Sequence, residues 1–173
     1  MMTFNYFVNA LLTGLASDSP KTNWAVYNVP KTEIDALYEY FKCLFSKLEK
    51  EDDVNSLSIQ RLSLGDISTV DSFEGNVKGF ATNSKKGILL VDAIIPSDRY
   101  VFELFRCCLK EPENSNFPSG WMIVSFWDED SIDEFDDGIS SAVQYWSYSD
   151  YIEAGGIDIV SQCKSLKERM MSA

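Results

Sequence analysis

Trp121-Met122-Ile123-Val124-Ser125-Phe126-Trp127 passes directly into Asp128-Glu129-Asp130-Ser131-Ile132-Asp133-Glu134-Phe135-Asp136-Asp137, which Gly138 closes. The first seven residues read as a buried strand, because an apolar run of this length has no polar face to give to water. The next ten carry seven carboxylates, so the chain emerges from a core element straight into solvent. Downstream, Ile139 to Tyr148 is β-prone through Ala142, Val143, Tyr145 and Trp146. The two strands are expected to form a hairpin with the acidic stretch as its tip.

Upstream, Ile88-Leu89-Leu90-Val91 is nearly continuously apolar and predicts a central strand covered on both faces. Asn83-Ser84-Lys85-Lys86-Gly87 before it reads as a hairpin loop reaching back to Val77–Ala81. Leu57, Ile59, Leu62 and Leu64 predict another strand, followed by a polar connection from Gly65 to Gly75. Trp24 to Val29 predicts a short strand ended by Pro30.

Helical spacing marks four further segments. Phe4, Phe7, Val8, Leu11, Leu12 and Leu15 share one face, with Thr3 as N-cap. Thr32 is expected to cap a helix running to about Lys50, whose stripe is Ile34, Leu37, Tyr38, Phe41, Leu44, Phe45 and Leu48. Ser97 opens a third, with Tyr100, Val101, Leu104, Phe105 and Cys108 inward. Ile157, Val160, Cys163, Leu166 and Met170 mark the last. Helices at both ends and between strand groups, without regular βαβ alternation, predict a single α+β domain over 1–173. Its sheet is expected to be mixed or mainly antiparallel, packed with about four helices.

The chain has 173 residues, enough for one core, and no Pro/Gly/Ser-rich linker divides it. Its 27 Asp and Glu outnumber 15 Lys and Arg, a formal net charge of -12. That field repels nucleic acid and anionic membrane and accelerates encounters with basic proteins. The expected partner is therefore a basic protein, with no nucleic acid and no membrane.

With no histidine, Ser-His and Cys-His nucleophile pairs and histidine bases are excluded, as are nearly all zinc sites except all-Cys or all-carboxylate ones. Cys43, Cys107, Cys108 and Cys163 lack C-x-x-C spacing and read as reduced packing residues. The apolar amino terminus lacks a basic n-region and is broken by Asn5 and Asn9, so it reads as an ordinary helix of a cytoplasmic protein.

No glycine-rich phosphate cradle is present. The acidic stretch fails as a calcium loop, because its Gly comes late and Ile139 stands where a bidentate Glu belongs. Asp92, a carboxylate on an apolar strand, is the best candidate for a metal-dependent enzyme. No catalytic residue, metal ligand or cofactor is otherwise indicated, and a non-enzymatic protein is expected.

The positive signal is acid flanked by aromatics. Asp128, Glu129, Asp130, Asp133, Glu134, Asp136 and Asp137 would steer a basic partner, and Trp127, Phe135, Tyr148 and Tyr151 would anchor it. In general character (small, acidic, rich in aromatics, without catalytic residues) the chain resembles the immunity proteins that bacteria make against their own contact-dependent or polymorphic toxins. The resemblance implies a tight complex with a cognate toxin domain, often a nuclease, whose active site is blocked or whose substrate surface is covered; the charge makes that domain a basic one. The alternatives are a regulatory adaptor that binds another basic protein and a carboxylate/metal-dependent enzyme.

Overall fold

The computed structural model describes residues 2–18, 21–51, 57–81, 84–111, 117–128, 131 and 142–172. Its elements are α1 (Phe4–Ala16), β1 (Asn23–Tyr27), α2 (Lys31–Glu51), β2 (Leu57–Ser63), a 3-10 turn (Leu64–Asp66), α3 (Val70–Ala81), β3 (Lys86–Asp92), α4 (Arg99–Lys110), β4 (Trp121–Trp127), β5 (Val143–Ser147), α5 (Tyr148–Glu153) and α6 (Ile159–Ser172).

The five strands form one sheet in the order β2-β3-β4-β1-β5, and every pairing is parallel. This overturns the expected mixed or mainly antiparallel α+β sheet: the architecture is α/β. Parallel neighbours require a crossover, and β1 is inserted between β4 and β5, so the anticipated hairpin of β4 with the following strand does not form. The other anticipated hairpin fails for a different reason. Val77–Ala81 is not a strand but the last part of α3, a helix that begins inside the stretch read as a polar connection. Thr69 opens it, its carbonyl accepting from Phe73 N–H at 3.1 Å and its Oγ1 from Ser72 N–H at 3.1 Å.

Alternate residues of each strand serve two cores. Trp24, Val26, Ile88, Leu90, Met122, Val124 and Phe126 face α1, α2 and α6 through Phe7, Leu11, Leu37, Phe41 and Cys163. Ala25, Leu89, Val91, Trp121, Ile123 and Trp127 face α3 and α4 through Phe73, Val77, Val101, Phe102 and Phe105. The result is three layers, helices on both faces of a parallel sheet. Crossovers that travel in opposite directions along a sheet put their helices on opposite faces if both are right-handed. Accordingly β1-α2-β2 runs one way with α2 on the first face, while β2-α3-β3 and β3-α4-β4 run the other way with α3 and α4 on the second.

All seven residues of β4 are buried, as its continuous apolar sequence implies for a strand with no solvent face. Full burial of one large apolar side chain is worth about 1.5–3 kcal/mol, more than a typical surface ion pair at about 0–1 kcal/mol. Each large side chain of this strand therefore contributes more than a surface ion pair does. Two buried polar contacts lock β1 onto it. Asn23 Oδ1 accepts from Ile123 N–H at 2.8 Å, and Ser125 Oγ donates to the Trp24 carbonyl at 2.8 Å.

Glycines separate the helix from the strand beside it. At Gly75 and Gly79 in α3 an added Cβ meets nothing within 4 Å, whereas at Gly87 in β3 it would lie 2.4 Å from the Ser58 carbonyl and 2.7 Å from the Trp121 ring. Gly75→Ala and Gly79→Ala are expected to stabilise the protein by about 0.5–1 kcal/mol each, because Gly is entropically costly inside a helix. Gly87→Ala is expected to cost about 1–3 kcal/mol through overpacking. Urea unfolding of the three variants gives the signs directly; a loss of stability at Gly75 would mean that this segment is not helical.

Candidate interaction surface at the carboxyl edge of the sheet

Because all five strands run the same way, the segments that leave their carboxyl ends gather along one edge, where open α/β sheets generally bind ligands. β1 delivers Asn28 and the start of α2 with Glu33 and Asp35. β2 delivers Asp66, and β3 delivers Asp92, Ile94, Asp98 and Tyr100. β4 delivers Asp128, and β5 delivers Ser149 and Asp150. Asn28 ties three of these exits together. It adopts the left-handed conformation, φ 61°, which Asn tolerates better than most residues. Its N–H donates to the Trp127 carbonyl at 2.8 Å, and its Nδ2 to Ser149 Oγ at 3.3 Å.

Asp128 is partly fixed: its Oδ1 accepts from Ser131 N–H at 2.9 Å and from Ser131 Oγ at 2.7 Å. Glu129, Asp130, Asp133, Glu134, Phe135, Asp136 and Asp137 lie outside the described residues. What the structure places at this edge is therefore the point from which the acidic stretch departs.

Three of the aromatic residues read from the sequence as anchors belong to the core. Trp127 is 2 % exposed, with its ring centroid 6.2 Å from those of both Phe102 and Phe105. Tyr148 and Tyr151 pack on Trp146 at 5.6 Å and 5.4 Å. Their hydroxyls are used inside the fold: Tyr148 donates to the buried Glu33 carboxylate and accepts from Ile159 N–H at 3.0 Å, while Tyr151 donates to the Ile157 carbonyl at 2.6 Å. A partner that docks on the folded surface does not reach these rings. Tyr and Trp have an apolar body and a polar handle that suit core and interface equally, which is why proximity to the acidic run did not separate the two roles.

The exposed aromatic on this edge is one that helical spacing had assigned inward. Tyr100 is 78 % exposed, and Ile94, on the same connection, is 62 % exposed. Asp98 caps α4 through a 2.8 Å bond from Tyr100 N–H, and the buried stripe is Val101, Phe102, Phe105, Cys108 and Leu109. Phe102, not Tyr100, completes the apolar face.

Asp92 has a cation beside one of its oxygens, while the other, Oδ1, is buried without a hydrogen-bond partner among the described residues. Arg61 of β2 bridges Asp35 and Asp92, the latter at 3.4 Å. Burial works against the guanidinium charge, but the hydrogen bonds and charges of the two carboxylates outweigh it and hold its pKa above the ordinary arginine value. Among the described residues no group of three or more Cys, Asp or Glu is placed to hold a metal ion. An open groove of about 500 Å³, lined by the uncharged Tyr6, Asn9, Ala10, Thr13, Gly14, Ser17 and Thr22, lies beside α1 at the amino end of β1, with the Lys21 ammonium donating to the Gly14 carbonyl at 2.8 Å. Among the described residues no helix is long and apolar enough to cross a membrane.

No protein-family model, no curated protein and no solved structure matches this chain.

The Tyr148 hydroxyl joins α2 to α5 and α6, and its pKa is raised, first by burial and then by its bond to Glu33. A group whose pKa is higher folded than unfolded stabilises the fold below its unfolded value, about 10 for tyrosine, and loses that contribution as pH rises through the folded value. Tyr148→Phe leaves the Glu33 carboxylate and the Ile159 N–H without this partner, and is expected to cost about 1–3 kcal/mol at pH 7. It is also expected to flatten the fall of stability above about pH 10. Denaturant midpoints of both proteins between pH 7 and 11 check this; parallel curves would remove Tyr148 from the alkaline transition.

Proposed function

We propose that this chain is an immunity-type binding protein that neutralises a basic, nuclease-like toxin domain by laying the carboxyl edge of its sheet against it. The observation that carries the reading is the collection of Asp35, Asp66, Asp92, Asp98 and Asp128 on segments leaving one edge, with Tyr100 and Ile94 uncovered beside them. Arg61 neutralises two of these acids, Asp35 and Asp92. Carboxylates steer and orient a basic surface, while an exposed Tyr supplies contact area at low entropic cost. A row of carboxylates also mimics, loosely, the phosphates that a nuclease groove is built to receive. A cytoplasmic setting suits the four cysteines, all free thiols.

The carboxylate/metal-dependent enzyme stays as an alternative through Asp92, whose Oδ2 faces Arg61 and whose buried Oδ1 has no hydrogen-bond partner among the described residues. The adaptor reading uses the same edge, and the identity of the partner distinguishes it from immunity.

The test is replacement of Asp128, Asp130, Asp133 and Asp136 together by Asn, with the partner recovered by co-purification from the native host. Affinity is expected to fall at least about tenfold, some 1.4 kcal/mol, and to depend less on salt. Tyr100→Ala is expected to cost about 1–2 kcal/mol of binding without changing the unfolding midpoint. Unchanged affinity in both variants at physiological salt would remove this edge from the mechanism.

A further inference from the structure

The corner that follows β5 carries a second uncovered apolar patch. α5 ends at Glu153, the chain turns through Gly155 and Gly156, and α6 begins at Ile159. Across this turn Ile152, Ile157 and Val160 are 38 %, 59 % and 42 % exposed. Single exposed apolar residues are ordinary, but three within nine positions of one tight corner are not explained by core packing.

The corner is rigid. Gly155 N–H donates to the Ile152 carbonyl at 3.0 Å and Gly156 N–H to the Tyr151 carbonyl at 2.9 Å. Tyr151 Oη closes the turn on the Ile157 carbonyl at 2.6 Å. Gly155 has φ 92°, and a Cβ on Gly156 would lie 2.4 Å from the Tyr151 ring, so both glycines are required by the turn. Asp158 caps α6, accepting from Ser161 N–H at 2.8 Å and Ser161 Oγ at 3.0 Å. These bonds, the backbone one foremost, hold its carboxyl below the usual Asp value and keep it ionised at neutral pH. Apolar side chains on so fixed a frame lose little freedom on binding.

The charge around the patch is mainly acidic, with the exposed Lys164 one helical turn beyond Val160. From Tyr148 to Ser161 the sequence contains Asp150, Glu153 and Asp158 and no Lys or Arg, with Asp150 and Glu153 exposed. The patch also stands close to the acidic edge. Only β1 separates β5 from β4, so the ends from which the corner and Asp128 depart are about 10 Å apart, two strand spacings.

We propose that Ile152, Ile157 and Val160 form the apolar anchor of the same interface and receive an amphipathic basic helix of the partner, whose Lys and Arg flank its apolar ridge and meet Asp150, Glu153 and Asp158. This rests on the reading of the chain as a binder of basic proteins and locates where that partner is gripped. An amphipathic helix presents apolar side chains at i, i+3 and i+4 to such a patch, and the acidic neighbours select against acidic or neutral helices.

The probe is an 18-residue Leu/Lys peptide with leucines at helical spacing, compared with a peptide of the same composition in scrambled order. Isoleucine-methyl-labelled protein is titrated with each and followed by NMR. The ordered peptide is expected to shift the Ile152 and Ile157 methyls and to bind about tenfold more tightly than the scrambled one. The Ile152→Ser/Ile157→Ser double variant, at exposed positions and with an unchanged unfolding midpoint, is expected to abolish that preference. Equal binding of the two peptides, or shifts confined to Ile94 and its neighbours, would overturn the anchor. Neither of those results touches the Asp128 series, whose failure would overturn the broader reading independently.

Discussion

The pairing of β1 with β4 is the contact on which the rest of the molecule depends. It joins Trp24–Tyr27 to Val124–Trp127, strands a hundred residues apart, and without it the sheet separates into the consecutive set β2-β3-β4 and the pair β1-β5. Both strands are apolar on both faces, so they are stable only beneath two helical layers, and the sheet twists between α1, α2 and α6 on one side and α3 and α4 on the other. Asn23 and Ser125, polar and buried, are tolerated because each spends its hydrogen bond across this one junction. The same junction brings the exits of β4, β1 and β5 side by side, and Asn28 links all three.

Once the strands are parallel, the functional geometry follows with few further choices. Every connection after a strand emerges on one edge, so acids that are scattered in sequence from Asp35 to Asp128 become neighbours on a rim. The acidic stretch starts from the centre of that rim. Tyr148 and Tyr151, which as surface groups would have been the obvious anchors, serve the fold instead: Tyr148 pins α5 and α6 to α2, and Tyr151 fixes the corner carrying Ile152 and Ile157. Their burial moves the exposed contact residues to Tyr100 and Ile94 on one side and to that corner on the other.

Much of the fold was legible in the residues. The stripes of α1 and α2 and the continuous apolar runs of β3 and β4 stand where periodicity puts them, and a run such as Trp121–Trp127 already favours a strand covered on both faces. The direction of the sheet was not legible. Parallel pairing is made between distant strands and leaves no local turn signature, whereas Lys85-Lys86-Gly87 and the acidic stretch look like hairpin loops to any local reading. α3 was hidden because Gly75 and Gly79 weaken its helical signal while Phe73 and Val77 supply only a narrow stripe. At the site, the carboxylates could be read as charge, but not their neighbours: Tyr100 fits the helical stripe of Val101 and Leu104 on paper and loses its place to Phe102 by one residue of rotation.

The most direct test of the account is a hydrogen-exchange footprint of the protein with and without the partner that co-purifies with it. Slowed exchange is expected in three stretches on one edge: Ala93–Val101, Trp127–Ser131 and Asp150–Ser161. Protection confined to the groove beside α1, at the opposite edge of the sheet, would contradict it.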